Sequence, residues 1–572
     1  MVRMRACLIA LWIGASAVSC PWLAHALELP GDREQVRELI RERQQQLLDE
    51  QRQRLEELQQ LPGRDLQLES AAPAADEACF EIRSIRLDGA ELIDENARQR
   101  LLSPFENQCL GQSRLNELLK AITQFYLDRG YVTSRAYLPP QDLADGELDV
   151  LVVEGRLEGF QGSDGGPSDT ETRMAFPGAT GERLNLRELE QMVDQLNRLP
   201  SRRAQIELAP GEEVGGSRVQ VNGEAAKPWR VRASRHNEGE ASTGEQQWGI
   251  GFDWDSPLGL GDQLILRAGR DAVSDSYRHS HNQSLNYLVP WGWWTFSYGY
   301  SQSYYRTLNQ AVGFDFKVDG DSRNHNLRAE RVLHRDGFGK TAASVGLSHL
   351  RTRNYIEDSL IDVSSQRLSE FSLGFNHGRR IGSAFVNADL GWQHGTGAFD
   401  AQRSGDPKFG EPVARYNKYG LTLSYLQPFQ LWGENFSVDS LATWQQSEDV
   451  LFGPQRISLG GLNSVRGFKE QSLSGDSGGY WRNNLRWRRA VTFEPLRPFV
   501  QEVGVAVGYD IGHIQSGPYN PDRRGRLSGN AIEFSARGEH LAASLTFARS
   551  LERPGVIERE EHPVHFRIDL SF

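Results

Sequence analysis

The chain has 572 residues, long enough for more than one domain. Charged residues make up 24% and hydrophobic ones only 38%, with a mean hydropathy of -0.54, which excludes a helical membrane protein. A formal net charge of -12 argues against a nucleic-acid partner, because a polyanion is held by a basic surface.

The first apolar run, Ala6 to Val18, follows Arg3 and Arg5 and leads to Ala24-His25-Ala26. That order predicts a secretory signal peptide over residues 1–26, with the mature chain starting at Leu27. Lipoprotein processing at Cys20 is the rival, but Ala17 stands where such signals prefer Leu. Asp32 to Gln60 has no Gly or Pro and reads as one helix within residues 27–60. Val36, Ile40, Leu47, Leu55 and Leu58 form a narrow apolar stripe among Arg, Glu and Gln. At 1.5 Å per residue the helix would be roughly 40 Å long, about the height of a membrane barrel; a solvated or coiled-coil helix is the alternative. Residues 61–77, with Pro62, Gly63 and Pro73, read as a linker.

Residues 78–155 and 156–226 read as two copies of a β-α-α-β-β unit. In the first, Phe80 to Leu87 is a strand, Glu95 to Leu102 and Ser113 to Arg129 are helices, and Thr133 to Tyr137 and Glu147 to Val153 are strands. Ser113 is the expected N-cap of the second helix and Gly130 its stop. In the second copy, strand Leu157 to Phe160, helix Leu186 to Leu199, and strands Arg203 to Leu208 and Arg218 to Val221 follow in the same order. Once a signal peptide is removed, Cys79 and Cys109 remain. In an exported, oxidising compartment a lone pair reads as one disulfide, here joining the first strand to the end of the first helix; two buried thiols are the alternative.

From Trp229 to Phe572 the pattern changes to period two. Val503, Val505, Val507 and Tyr509 alternate with Gly504, Ala506, Gly508 and Asp510. Phe566, Ile568, Leu570 and Phe572 alternate with His565, Arg567, Asp569 and Ser571. A soluble sandwich also alternates, but the connections discriminate. Sixteen strands begin near residues 229, 246, 262, 282, 293, 322, 340, 367, 382, 415, 435, 479, 500, 528, 541 and 565. Connections after even-numbered strands are mostly short, with longer ones near Phe429 and Glu494; those after odd-numbered strands are long and polar. Short periplasmic turns alternating with long extracellular loops predict an outer-membrane barrel over residues 227–572.

Two segments then carry a family resemblance. One runs from Gly130-Tyr131-Val132-Thr133-Ser134-Arg135 to Val152-Val153-Glu154-Gly155, and the other is Val465-Arg466-Gly467-Phe468 in the longest loop. Through them the whole mature chain resembles the two-partner secretion transporters, the haemolysin and filamentous-haemagglutinin exporters of Gram-negative bacteria. The resemblance implies an all-β membrane barrel with two polypeptide-transport-associated (POTRA) modules and an N-terminal helix plugging the lumen. It implies that the loop motif folds back into the barrel, where Arg466 meets an Asp on a following strand; Gly508-Tyr509-Asp510 matches that Asp. It further implies export, with possible activation, of a large exoprotein, be it a cytolysin, an adhesin or a contact-dependent toxin, without enzyme activity, cofactor or metal. The partner would add a strand to an exposed edge, for which Arg203, Ala204, Gln205, Ile206, Glu207 and Leu208 are the candidate. Phe566, Ile568, Leu570 and the terminal Phe572 would signal to the barrel-assembly machinery and face outer-membrane lipid.

Other motifs are weaker. Gly475-Asp476-Ser477-Gly478-Gly479 looks like a serine-hydrolase signature, but no positioned base or strand-to-helix elbow accompanies Ser477. His279 and His281 read as surface residues of an exposed loop. A barrel assembly factor is the alternative function, and a porin or outer-membrane hydrolase a more distant one; neither of the last two needs the modules or the plug.

Overall fold

The computed structural model describes residues 30–63, 79–163, 165–224, 226–273, 275, 277–311, 313–405, 411–517 and 524–572. The expected signal peptide and most of the linker lie outside these residues. Sixteen antiparallel strands, joined in sequence order, form a closed barrel from Trp229–His236 to Val564–Ser571. The last strand pairs with the first over Arg567↔His236 to Ser571↔Arg232, and the Phe572 amide donates to the Val231 carbonyl at 2.9 Å. The alternation decides which face each residue takes. On the thirteenth barrel strand, Glu502–Ile514, Val507 and Tyr509 face outward while Ala506 and Asp510 are buried inward.

Three expectations about the connections need correction. The fifth connection is a tight turn between strands Trp294–Ala311 and Phe314–Arg335, not a long loop. The polar residues read as loop continue the ladder, from Ser303↔Ser322 to Ala311↔Phe314; the buried side chains of one face, Ser303, Tyr305, Thr307, Val318 and Ser322, are mostly polar, so no apolar alternation marks these strands. The connection near Phe429 is two residues, Trp432 and Gly433, both with positive φ as a tight hairpin turn requires. His279 and His281 lie on the fourth barrel strand, His279–Trp291, where Nδ1 of His279 meets the Asp271 carboxylate at 2.6 Å.

The first module contains β1 (Cys79–Ile82), β2 (Ser84–Asp88), helix α2 (Glu95–Leu102), β3 (Gln108–Gly111), helix α3 (Gln112–Asp128), β4 (Arg135–Tyr137) and β5 (Glu147–Val153). β3 is absent from the sequence reading: it pairs antiparallel with β1, so Cys109 sits in a strand rather than at a helix end. Cys79 and Cys109 are bonded, with their Cα atoms 5.3 Å apart. Closing a loop of this size stabilises by roughly 2–4 kcal/mol. The N-cap of α3 is Gly111, so Ser113 lies inside the helix. The core is Ile82, Leu110, Leu118, Ile122, Tyr126 and Val150, the apolar face of α3 laid on the strands.

The second module contains β6 (Arg156–Gly162), α4 (Asp169–Ala175), α5 (Leu186–Asn197), β7 (Gln205–Pro210) and β8 (Gly216–Asn222). α4 has no counterpart among the elements expected from the pattern, although Ser168 and Glu171 form its capping box. Both modules share one sheet plan, a parallel pair flanked by an antiparallel edge: β2-β5-β4 and β6-β8-β7.

Glu154 welds the modules together. Its carboxylate accepts the Leu92 amide at 2.8 Å and the Tyr126 hydroxyl at 2.9 Å, and pairs with Arg183 of the second module. The second module is seated on the barrel in turn. Gln191 and Gln195 donate to the Gly292 carbonyl, and the buried Arg335 holds Asp194 at 2.7 Å and Glu190 at 3.3 Å.

Candidate functional site in the barrel lumen

Helix α1, Pro30–Gln60, lies inside the barrel and is held mainly by polar wall residues. Gln51 donates to Asp389 at 2.7 Å and accepts from Asn387 at 3.0 Å and Ser424 at 2.9 Å. Arg54 sits between Glu330 at 2.9 Å and Asp389 at 3.6 Å. At its C-terminal end Leu58 packs with Leu61 and Phe385. The sparse apolar stripe thus has its reason: the surroundings are a polar wall with a few apolar footholds.

The longest loop, residues 447–477, turns inward beside the helix. A hairpin of Ile457–Leu459 and Leu473–Gly475 carries the Val-Arg-Gly-Phe segment at its tip. Val465 and Phe468 are fully buried with Leu459, Ile514 and Leu527, and Leu48 of α1 packs against the same cluster. Arg43 and Gln44 of α1 donate to the loop carbonyls of Pro454 and Ser458 at 2.7 and 2.9 Å. Loop and helix therefore share the lumen in direct contact.

Arg466 and Asp510 meet at the centre of this arrangement. Arg466 donates through Nε to Oδ2 and through Nη2 to Oδ1, both at 2.6 Å, and its backbone amide reaches Oδ2 at 3.0 Å. Asp510 is 0% exposed and Arg466 4%. The bidentate fork fixes orientation as well as charge. It lies flat against Gly508, where a β-carbon would strike the guanidinium. Gly467 presses on the Arg549 backbone in the same way.

Several partners had no local signal in the sequence. The Glu561 carboxylate accepts the successive amides of Lys469, Glu470 and Gln471 at 2.6, 3.0 and 3.0 Å, tying the loop to the one before the last strand. Lys469 also pairs with Glu245. The Gly-Asp-Ser-Gly-Gly stretch is structural: Asp476 pairs with Arg456 at 3.3 Å, and the Ser477 hydroxyl donates to the Ser447 carbonyl and accepts its amide at 2.9 and 3.0 Å.

The remaining candidate residues lie elsewhere. In the 203–208 segment only Gln205 to Leu208 belong to the edge strand β7. Arg203 precedes it, and Ala204 is buried with its backbone bonded to the Asn197 side chain at 2.6 and 3.0 Å, so neither offers a free edge. Gln205, Glu207 and Leu208 are exposed. Ile568, Leu570 and Phe572 are exposed on the outer wall, and Phe566 is half-buried there.

A family model described as Haemolysin secretion/activation protein ShlB/FhaC/HecB matches residues 215–536, more than half of the chain. The chain belongs to that family. A ShlB-type POTRA domain model matches residues 80–155 and a second POTRA model residues 156–210. The outer membrane transporter CdiB of Dickeya dadantii (strain 3937) is 32% identical over 535 residues, 93% of each chain. The hemolysin transporter protein ShlB of Serratia marcescens is 30% identical over 495 residues, 86% of this chain and 85% of its own. The solved structure of CdiB from Escherichia coli superposes with a TM-score of 0.88 at 33% identity, covering 95% of this chain and 99% of that one. As a member of the haemolysin secretion/activation family the chain is an outer-membrane transporter of two-partner secretion, with its POTRA modules in the periplasm.

Proposed function

We propose that this transporter rests closed, and that the Arg466–Asp510 pair is the latch that holds the inward loop while a large unfolded exoprotein is passed outward. The observation that carries this reading is the burial of Asp510 under three donors from Arg466, in a lumen that α1 and the loop occupy together. The partner would first be caught in the periplasm, where the exposed edge at Gln205 to Leu208 offers unpaired backbone for strand addition. Withdrawal of α1 then opens the path, and folding of the partner outside supplies the drive. The process is non-enzymatic and uses no cofactor. Phe566, Ile568, Leu570 and Phe572 serve recognition by the assembly machinery and contact with membrane lipid.

The test is a double-mutant cycle on secreted partner, normalised to barrel abundance. Arg466→Ala and Asp510→Ala should each impair export, and the double variant should be no worse than either one. Arg466→Lys should also be defective, since an ammonium cannot form the two-pronged contact. Additive losses, or unimpaired export, would remove the latch.

A further inference from the structure

The outer wall of a membrane barrel is ordinarily a convex apolar band. Near the extracellular rim of strands ten to fourteen it is interrupted by a cavity of about 420 Å³. That volume is in the range of small-ligand clefts, roughly 300–1,000 Å³. The ladder registers lay out its architecture. Leu421, Trp444, Gly479, His513 and Arg526 are successive cross-strand partners, and the row beneath is Leu423, Ala442, Trp481 and Ile511. The small Ala442 leaves the depression; the Trp444 ring leans over Gly479, where a β-carbon would strike it, and Trp481 stands beside Ala442 as the other apolar wall. Gly479 is one residue inside the extracellular start of its strand, Gly478–Ala490, so the depression opens at the level of the outer leaflet. On its upper edge are His513 and Arg526. Arg526 already meets Glu552 at 3.1 Å, but both are half exposed, so the guanidinium keeps room for a second acceptor.

We propose that this depression is a binding site for one phosphorylated, acylated glycolipid of the outer leaflet, with an acyl chain between Trp444 and Trp481 and a phosphate at His513 and Arg526. Three features select this occupant. The site faces hydrocarbon, so a water-soluble ligand has no approach to it. Its depth is apolar and its rim carries the Arg526 guanidinium and the His513 imidazole, which can donate hydrogen bonds, the order in which a lipid presents tail and headgroup. Its position at the extracellular rim excludes inner-leaflet lipid.

The experiment is native mass spectrometry of the full-length transporter in mild detergent, with diphosphoryl lipid A as the probe. Dephosphorylated lipid A and phosphatidylglycerol serve as comparisons. The wild type should retain one diphosphoryl lipid A in preference to both. Ala442→Trp, which fills the depression, should lower retention by about tenfold or more, the equivalent of roughly 1.4 kcal/mol. Leu390→Trp, on the lipid-facing wall of strand Ala384–Thr396, should not. The double variant His513→Gln, Arg526→Gln leaves the apolar walls intact and should reduce the preference for the phosphorylated form. It decides the matter if Ala442→Trp fails to give a heat-modifiable barrel. Equal retention by wild type and the charge variant, equal loss in Leu390→Trp, or equal retention of phosphatidylglycerol would each overturn the proposal.

Discussion

A methyl group at residue 508 would occupy the space of the Arg466 guanidinium. Gly508→Ala should therefore dislodge the latch without removing either charge. Overpacking of this kind costs about 1–3 kcal/mol. The expected outcome is impaired export at near-normal barrel abundance, read by quantifying secreted partner against heat-modifiable barrel. Normal export would mean that the fork geometry is dispensable. Glu154 makes a second prediction, at the joint between the modules. Burial pushes its carboxyl up, but the Leu92 amide, Arg183 and the Tyr126 hydroxyl together hold it below its ordinary value of 4.5. A carboxylate depressed in the folded state contributes stability above the unfolded value, and that contribution is lost as the pH falls through the folded one. Amide exchange at Leu92 and at Leu184, whose amide donates to the Gly155 carbonyl at 2.9 Å, should thus accelerate, relative to the intrinsic rate, as the pH drops below 4.5, and Glu154→Gln should remove most of this dependence. A joint indifferent to pH would show that the other contacts suffice. At this scale the sequence was partly legible. Arg466 and Asp510 were found by motif and parity, because a period-two strand fixes which face a residue takes. Glu561 and Gln51 were not, because their partners lie 90 to 92 and 336 to 373 residues away and an isolated Glu or Gln carries no periodicity.

Among the elements, α1 shows how a plug can be specified by polarity. Its side chains bind the wall through amides, guanidinium groups and carboxylates, each of which water can replace when the helix leaves. A hydrogen bond exchanged in this way is worth only about 0.5–1.5 kcal/mol net, so withdrawal does not require exposure of a large apolar face. A helix is roughly 10–12 Å across with its side chains, wide enough to obstruct the lumen. Deleting residues 30–60 should leave insertion intact and raise single-channel conductance in planar bilayers; an unchanged conductance would argue against the plug. Elements that obeyed a single environment were the readable ones. The barrel strands, apolar on one side and polar on the other, announced themselves, as did α1 between its polar neighbours. The misread elements are those that escape that contrast. β3 is four residues long, too short to establish alternation. The tall hairpin of strands five and six buries mostly polar residues, Ser303, Thr307 and Ser322 beside Tyr305 and Val318, and so has the composition of a loop. α4 has one capping box and barely two turns, which leaves little apolar face to detect.

For the whole molecule, the even number of strands returns the C-terminus to the periplasmic side, next to the modules. Phe572 ends there, 59% exposed, stacked on His540 and bonded to Val231 in both directions. Removing it takes away two closing hydrogen bonds and an aromatic at the membrane boundary. Deletion of Phe572 should lower the amount of heat-modifiable barrel in outer membranes, and wild-type levels would contradict this. The barrel count and the two modules were legible because parity and repetition are properties of long stretches. The seating of the second module on the turns at Gly292 and Arg335 was not, since those contacts join surfaces that carry no pattern of their own. The closing seam also bears on synthesis. It joins the earliest barrel segment, Trp229–His236, to the latest, Val564–Ser571, with every other strand in between. A nascent chain interrupted before Val564 lacks the strand that seals the cylinder. A message broken before that point therefore specifies an open sheet rather than a closed pore through the cell's permeability barrier.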